Sequence, residues 1–168
     1  RYGRRQRQMC IRDRIGNGEN LDFEDETFDG GYSQHVTMNI KSRKEFFLEA
    51  FRVLKKGTFF AFSEHGLGPE GNPIFPLPWA DTAEMSFLFS PESTIALLEE
   101  VGFYDIQIIE TSEKYISGYE KMINTKSNKE KPILGIHVIG GSTMKLRSIN
   151  SMQCIKEKRT LPFEIVCK

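Results

Sequence analysis

SRKEFFLEAFRVLKKGTFFAFS, residues 42–63, is the stretch on which the fold turns. Ser42-Arg43-Lys44-Glu45 reads as a capping box, with the serine oxygen on the Glu45 amide and the Glu45 carboxylate reaching back. A helix to about Lys55 follows. Phe46, Phe47, Ala50, Phe51 and Leu54 recur at three- and four-residue spacing, which marks one apolar face and makes the phenylalanines core residues. Lys55 and Lys56 suit the negative helix end, and Gly57 is placed to cap it. Thr58 to Ser63 is then a continuous apolar run. Such a run fits a strand buried on both faces, as in a parallel sheet covered by helices.

Working outward from this unit, the same alternation continues. Upstream, Phe28 to Ser33 reads as a short strand, weakened by Gly30 and Gly31. Ile15 to Glu26 is polar, and Glu24-Asp25-Glu26 reads as a solvated turn. Downstream, residues 66–78 hold four prolines and three glycines. A loop of that length in a compact domain is usually functional or disordered. Ser90-Pro91-Glu92 starts a helix with a serine cap, a proline in the first turn and an acid beside it. That helix runs to Val101 and stops at Gly102. Phe103 to Glu110 reads as a strand, and Thr111 to Lys131 as charged and poorly patterned. A helix over 142–157 and a strand over Leu161 to Val166 close the chain. The order predicts a doubly wound α/β sheet, a fold that hosts many chemistries.

Composition narrows the class. Apolar residues make up 39% and charged residues 27% of the 168, as in a globular protein. No apolar run approaches the ~20 residues of a membrane span. The three cysteines, Cys10, Cys154 and Cys167, lack zinc or redox spacing, so a reducing, cytoplasmic setting is expected. The formal net charge is zero, but residues 1–14 carry six arginines and one acid. Their string QMCIRDR resembles the translation of a sequencing adapter, and the other reading is an arginine-rich arm. The segment is set aside from fold reasoning. The remainder is mildly acidic, which argues against a nucleic-acid surface.

Four motifs in order carry a family resemblance. Gly16-Asn17-Gly18-Glu19-Asn20-Leu21-Asp22-Phe23 with Thr27-Phe28-Asp29 resembles G-D-A-E-x-L-P-F followed by F-D. Ser33 to Ile40 resembles the turn after the fourth strand. Glu49 to Gly57, EAFRVLKKG, resembles the helix end E-x-x-R-V-L-K-P-G-G. Phe75-Pro76-Leu77-Pro78-Trp79-Ala80 with Ser86-Phe87-Leu88 is similar to a small-molecule subgroup of the same family, as is the tail from Leu134-Gly135 to Lys168. The family is the class I S-adenosylmethionine-dependent methyltransferases of type 11, and the nearest subgroup is the glycine/sarcosine/dimethylglycine type.

The resemblance covers residues 15–168. It implies an α/β fold that is the C-terminal part of a doubly wound, Rossmann-like methyltransferase sheet with its first strands missing. The cofactor implied is S-adenosyl-L-methionine and the partner a small-molecule acceptor, an amine. The alternative is a non-catalytic methyltransferase-like fragment or interaction module. Departures bear on that choice: Asn17 stands where the family has an acid, and Asp22 replaces the proline of L-P-F. The glycine-rich cofactor loop and the ribose-binding acid have no counterpart. Gly16-Asn17-Gly18 does not supply the loop, because no strand precedes it and no helix fits after it.

By the same resemblance, Asn17, Gly18 and Glu19 fall at the adenine edge, and Ser33, Gln34 and His35 beside the rest of the cofactor. His35 is the catalytic candidate: it could orient the cofactor carboxylate or take a proton from the acceptor. The alternative is a histidine that caps the sheet edge. Met38, Asn39, His65 and Trp79 are the acceptor-side candidates. His65 follows Glu64 at a strand's C-terminal end, where α/β sheets bind ligands. Trp79 is the sole tryptophan, either a lid over a cation or sulfonium or a plug that anchors its loop. His137, in an apolar run, reads as core. No Ser/His/Asp triad, Walker loop or metal cluster is visible.

Overall fold

The computed structural model describes residues 14–124 and 141–168. Residues 1–13 of the basic head, Leu134-Gly135 and His137 lie outside the described residues. Four strands form one sheet: β1 (Gly31–Gln34), β2 (Phe60–Leu67), β3 (Gln107–Glu110) and β4 (Thr160–Cys167). Their order across the sheet is β1-β2-β4-β3. β1 runs parallel to β2, while β4 is antiparallel to both β2 and β3. The expected parallel sheet is therefore a mixed one. β4 enters between β2 and β3 and reverses direction, a pairing that a strand's own composition does not encode.

Helix α1 (Arg43–Val53) and α2 (Pro91–Val101) cover one face. Phe47, Leu98 and Val101 pack there on Phe60, Phe62, Phe163, Ile165 and Cys167. Alternation along β2 and β4 sends Phe60, Phe62, Phe163 and Ile165 to this core, and Ala61, Ser63, His65 and Glu164 to the other face. On that other face, α3 (Ser112–Asn124) and α4 (Met144–Lys156) pack on each other and on β4. They leave part of it open: Tyr32, Ile109 and Val166 are exposed. The run Thr58–Ser63 is thus not covered on both sides as expected.

Local chemistry explains most boundaries. Ser90 accepts from the Ser93 amide at 3.2 Å, and Pro91 opens α2. Gly102 ends it at φ +119°, where a Cβ would meet the Phe51 ring at 3.1 Å. Ser42, by contrast, makes no side-chain cap bond, so the expected capping box is not formed. Arg43, in that motif, turns inward instead. Of the expected core face of α1, Phe47 is fully buried while Phe51 is half-exposed and rests edge-on against Phe103, 5.0 Å between centroids.

Three other boundaries differ from the sequence reading. The first strand begins at Gly31 because Phe28 makes only a bridge to Leu54. β3 begins at Gln107 rather than Phe103, since Tyr104 is held by Lys168 through a backbone pair at 2.8 and 2.9 Å. The segment read as unpatterned contains α3, whose Tyr115, Tyr119 and Met122 repeat at helical spacing. Cys154 and Cys167 are free and buried.

Candidate active site

β1 ends at Gln34, and His35 takes a left-handed conformation, φ +53°. Its amide still bonds to the Ser63 carbonyl at 2.9 Å. The chain breaks from the sheet there into a short 3-10 turn, Thr37–Asn39. Non-glycine residues seldom adopt this conformation, and it collects at functional sites. Neighbouring residues at this break line two cavities.

The first, about 460 Å³, runs along the outer edge of β1. Gly18, Ser33 and Gln34 line it with Leu21, Phe28 and Phe46. A Cβ on Gly18 would lie 2.9 Å from the Phe46 ring, so only glycine lets the loop approach this closely. Because His35 and Gly31 donate toward β2, the backbone groups of Tyr32 and Gln34 point the other way, into the groove side. Asn17 and Glu19 do not line the groove. The Asn17 side chain accepts from the Glu19 amide at 3.1 Å, and the Asn20 amide bonds to its carbonyl at 3.0 Å.

The loop that carries Gly18 is held by one arginine. Arg52 on α1 donates to the carbonyls of Leu21 and Phe23 at 3.0 and 2.7 Å, and to Asp25 and Glu49. Glu49 in turn accepts from the Leu21 amide at 2.7 Å. Arg52 and that backbone amide hold the Glu49 carboxyl down to about 2. The acid run read as a solvated turn is therefore partly paired: Asp25 to Arg52, and Glu26 to Lys56 at 3.5 Å.

The second cavity, about 760 Å³, is lined by His35, Met38, His65, Trp79, Tyr115, Tyr119 and others. The Tyr115 hydroxyl lies 2.8 Å from His35 Nε2. His65 stacks on Trp79 with centroids 4.7 Å apart and meets Tyr115 edge-on at 5.0 Å. Burial holds the His65 imidazole down to about 3, helped by the neighbouring His35, and partial desolvation lowers His35 as well. Both are neutral imidazoles near neutral pH. Tyr115 is pushed up to about 12 by burial, then by Tyr119 and Glu164, so it keeps its proton. A protonated phenol can donate to the neutral imidazole in the tautomer that carries its proton on Nδ1, which leaves Nε2 of His35 as the acceptor.

Met38 is fully buried in the wall, whereas Asn39 is exposed and outside it. Trp79 sits at the tip of a two-residue turn closed by Leu77 and Ala80 at 2.8 and 3.2 Å. Its indole donates to Ser86 at 2.9 Å. Arg147 on α4 donates to the Leu77 carbonyl at 2.7 Å and pairs with Asp81, and Asn150 donates to the Pro76 carbonyl at 3.1 Å. The ring is a braced wall of the cavity.

Behind this wall lies a group the sequence reading passed over. Arg43 and Glu64 form an ion pair at 3.0 Å with both side chains fully buried. Thr37 and Thr94 donate to Glu64, and Arg43 also donates to the Phe87 carbonyl at 2.8 Å and lies 4.5 Å over Phe89. Burial pushes the Glu64 carboxyl up, against the opposing pull of Arg43 and the two hydroxyls. Thr37 precedes Met38 and Glu64 precedes His65, so the pair ties two cavity walls together. Among the described residues no cluster could hold a metal ion, and no helix is long and apolar enough to cross a membrane.

Comparison with known proteins bears on the fold. Residues 2–62 match the family described as methyltransferase domain. No curated protein matches the chain. Among solved structures, phosphoethanolamine N-methyltransferase 2 of Haemonchus contortus, in complex with S-adenosyl-L-methionine, superposes with TM-score 0.67 at 14% identity, over 90% of this chain and 35% of that one. Geranyl diphosphate C-methyltransferase of Streptomyces coelicolor A3(2), bound to S-adenosyl-L-homocysteine, gives 0.69 at 14% identity, over 92% and 51%. A protein assigned as a sarcosine dimethylglycine methyltransferase from Galdieria sulphuraria gives 0.70 at 15%, over 90% and 57%. The chain spans about a third to a little over half of these structures. Residues 2–62 thus match the methyltransferase domain family, and the described residues have the fold of S-adenosylmethionine-dependent methyltransferases.

Proposed function

We propose that the chain serves S-adenosylmethionine-dependent methyl transfer to a small-molecule acceptor, an amine delivered in its neutral form. The observation that carries this is that consecutive residues at the end of β1 line two cavities, Gln34 the one and His35 the other. The groove suits the cofactor: it combines a close-packed glycine, the outward backbone groups of β1 and apolar walls. Gly18, Ser33 and Gln34 would hold the cofactor there, which when bound supplies an activated methyl group. The chain's task is then to aim the acceptor atom and exclude water.

His35 and Tyr115 stand where the acceptor atom would be presented. The imidazole is neutral and can take a proton, directly or through the phenol. No carboxylate lines the acceptor cavity among the described residues. With no carboxylate to pair an ammonium ion and with Lys114 in the lining, the cavity favours an amine without its proton and with its lone pair free. The solved neighbours act on phosphoethanolamine and geranyl diphosphate, so the fold admits acceptors of unlike shape. Transfer of a labelled methyl group from S-adenosylmethionine tests the reading. His35→Ala should lower turnover on the order of 100-fold while leaving the acceptor's apparent affinity nearly unchanged. Equal turnover in both proteins would remove His35 from the mechanism.

A further inference from the structure

Gly118 stands in the middle of α3, where a glycine weakens a helix by roughly 0.5–1 kcal/mol relative to alanine. A tight helix crossing would explain it, but none is present: a Cβ built there meets nothing within 4 Å among the described residues. Its φ is not positive either, so no turn demands it. What the missing side chain leaves is space in the His35–Trp79 cavity, which Gly118 lines.

Apart from Lys114 and the two histidines, the rest of that lining points the same way. Met38, Met122 and Met144 join Trp79, Tyr115 and Tyr119 in the walls. Methionines are adaptable fillers that mould to varied apolar shapes. Cavities of some 300–1,000 Å³ take ligands of drug size, and this one is about 760 Å³. A compact, strongly hydrated amino acid would leave most of such a space empty and would find no carboxylate among the described lining residues for its ammonium group.

We infer that the acceptor carries an extended apolar body, an alkyl chain or hydrocarbon ring system, and that Gly118 sets how long that body can be. The reactive end lies at His35 and Tyr115, and the apolar body runs between Trp79 and the face of α3 at Gly118. This deepens the proposed methyl transfer and rests on it only for the identity of the reactive end.

The sole tryptophan makes the test direct, because Trp79 emission reports occupancy of this cavity. The full chain is titrated with ethylamine, hexylamine and decylamine, then with glycine. Affinity should rise about fourfold for each added methylene until the cavity is full, and glycine should give no response. Gly118→Leu fills the open space, so it should abolish the gain beyond a shorter chain length while unfolding at the same or a higher denaturant concentration. Gly118→Ala should fall between the two. A flat response along the amine series, tighter binding of glycine, or an unchanged chain-length limit in a stably folded Gly118→Leu would overturn the inference. The Trp79 titration needs no cofactor, so it reads the shape of this cavity whether or not the labelled-methyl assay bears out the methyltransferase reading.

Discussion

His65 gives the most direct test at the scale of one residue. Its folded imidazole is held at about 3, below the usual 6.5, because burial penalises the charged form. The unfolded chain therefore binds a proton that the folded chain refuses. Stability from this group is present in full above about pH 6.5 and is lost as pH falls toward 3, amounting to a few kcal/mol. His35, lowered too, contributes in the same direction. Glu49 joins only below about 4.5, and Glu64, pushed up by burial, works in the opposite direction, so in the window from 6.5 to 5 the difference between the native chain and a His65 variant isolates this imidazole. Urea unfolding across that window should show a steeper pH dependence for the native chain than for His65→Gln. Parallel curves would mean that His65 is charged or exposed in the fold.

The Arg43–Glu64 pair belongs to the same scale. Glu64→Gln leaves a fully buried guanidinium without its counter-charge, which should cost about 3–5 kcal/mol. The double change Arg43→Met with Glu64→Leu removes both charges and should cost clearly less. Denaturant unfolding of the three proteins decides it. If the double variant is as unstable as the single one, shape rather than charge governs the position.

At the scale of elements, Arg52 joins α1 to the loop that carries Gly18. Four of its partners lie on Leu21, Phe23, Asp25 and Glu49. A planar fork makes these bonds together, and lysine cannot reproduce them. Arg52→Lys should therefore speed hydrogen exchange at the Leu21 amide and its neighbours while leaving the β2 and β4 amides protected. Unchanged exchange in the loop would show that apolar contacts of Leu21 and Phe28 hold it without the arginine. The E-x-x-R spacing was visible as part of a family motif. What it does became visible only with the loop in place.

For the molecule as a whole, the sheet's edge and open face set the behaviour. β1 pairs only with β2 among the described residues, and Tyr32 on it is 79% exposed. The open face adds Ile109 and Val166. Unpaired edges beside apolar surface recruit further strands. Sedimentation velocity should show concentration-dependent association, reduced by Tyr32→Lys. A monomer at every concentration would overturn this. The groove proposed for the cofactor lies along the same edge and is open to solvent on its outer side. The chain as given should therefore bind S-adenosylmethionine weakly, and micromolar affinity by calorimetry would contradict that.

The sequence by itself determined the local events. Helical spacing placed Phe47 in the core beside β2, and Ser90, Pro91 and Gly102 bounded α2 because caps and turn residues act within a few positions. The motifs around Gly18, His35 and Trp79 were legible for the same reason, as short strings. Only the tertiary structure decided what lies far apart in the chain. It inserted β4 antiparallel between β2 and β3, turned Arg43 out of an expected cap toward Glu64, and laid Tyr115 of an unrecognised helix on His35, 80 residues away. Such contacts depend on which faces remain to be buried once the elements exist. Burial at a distance, unlike capping or periodicity, leaves no mark on the neighbouring residues.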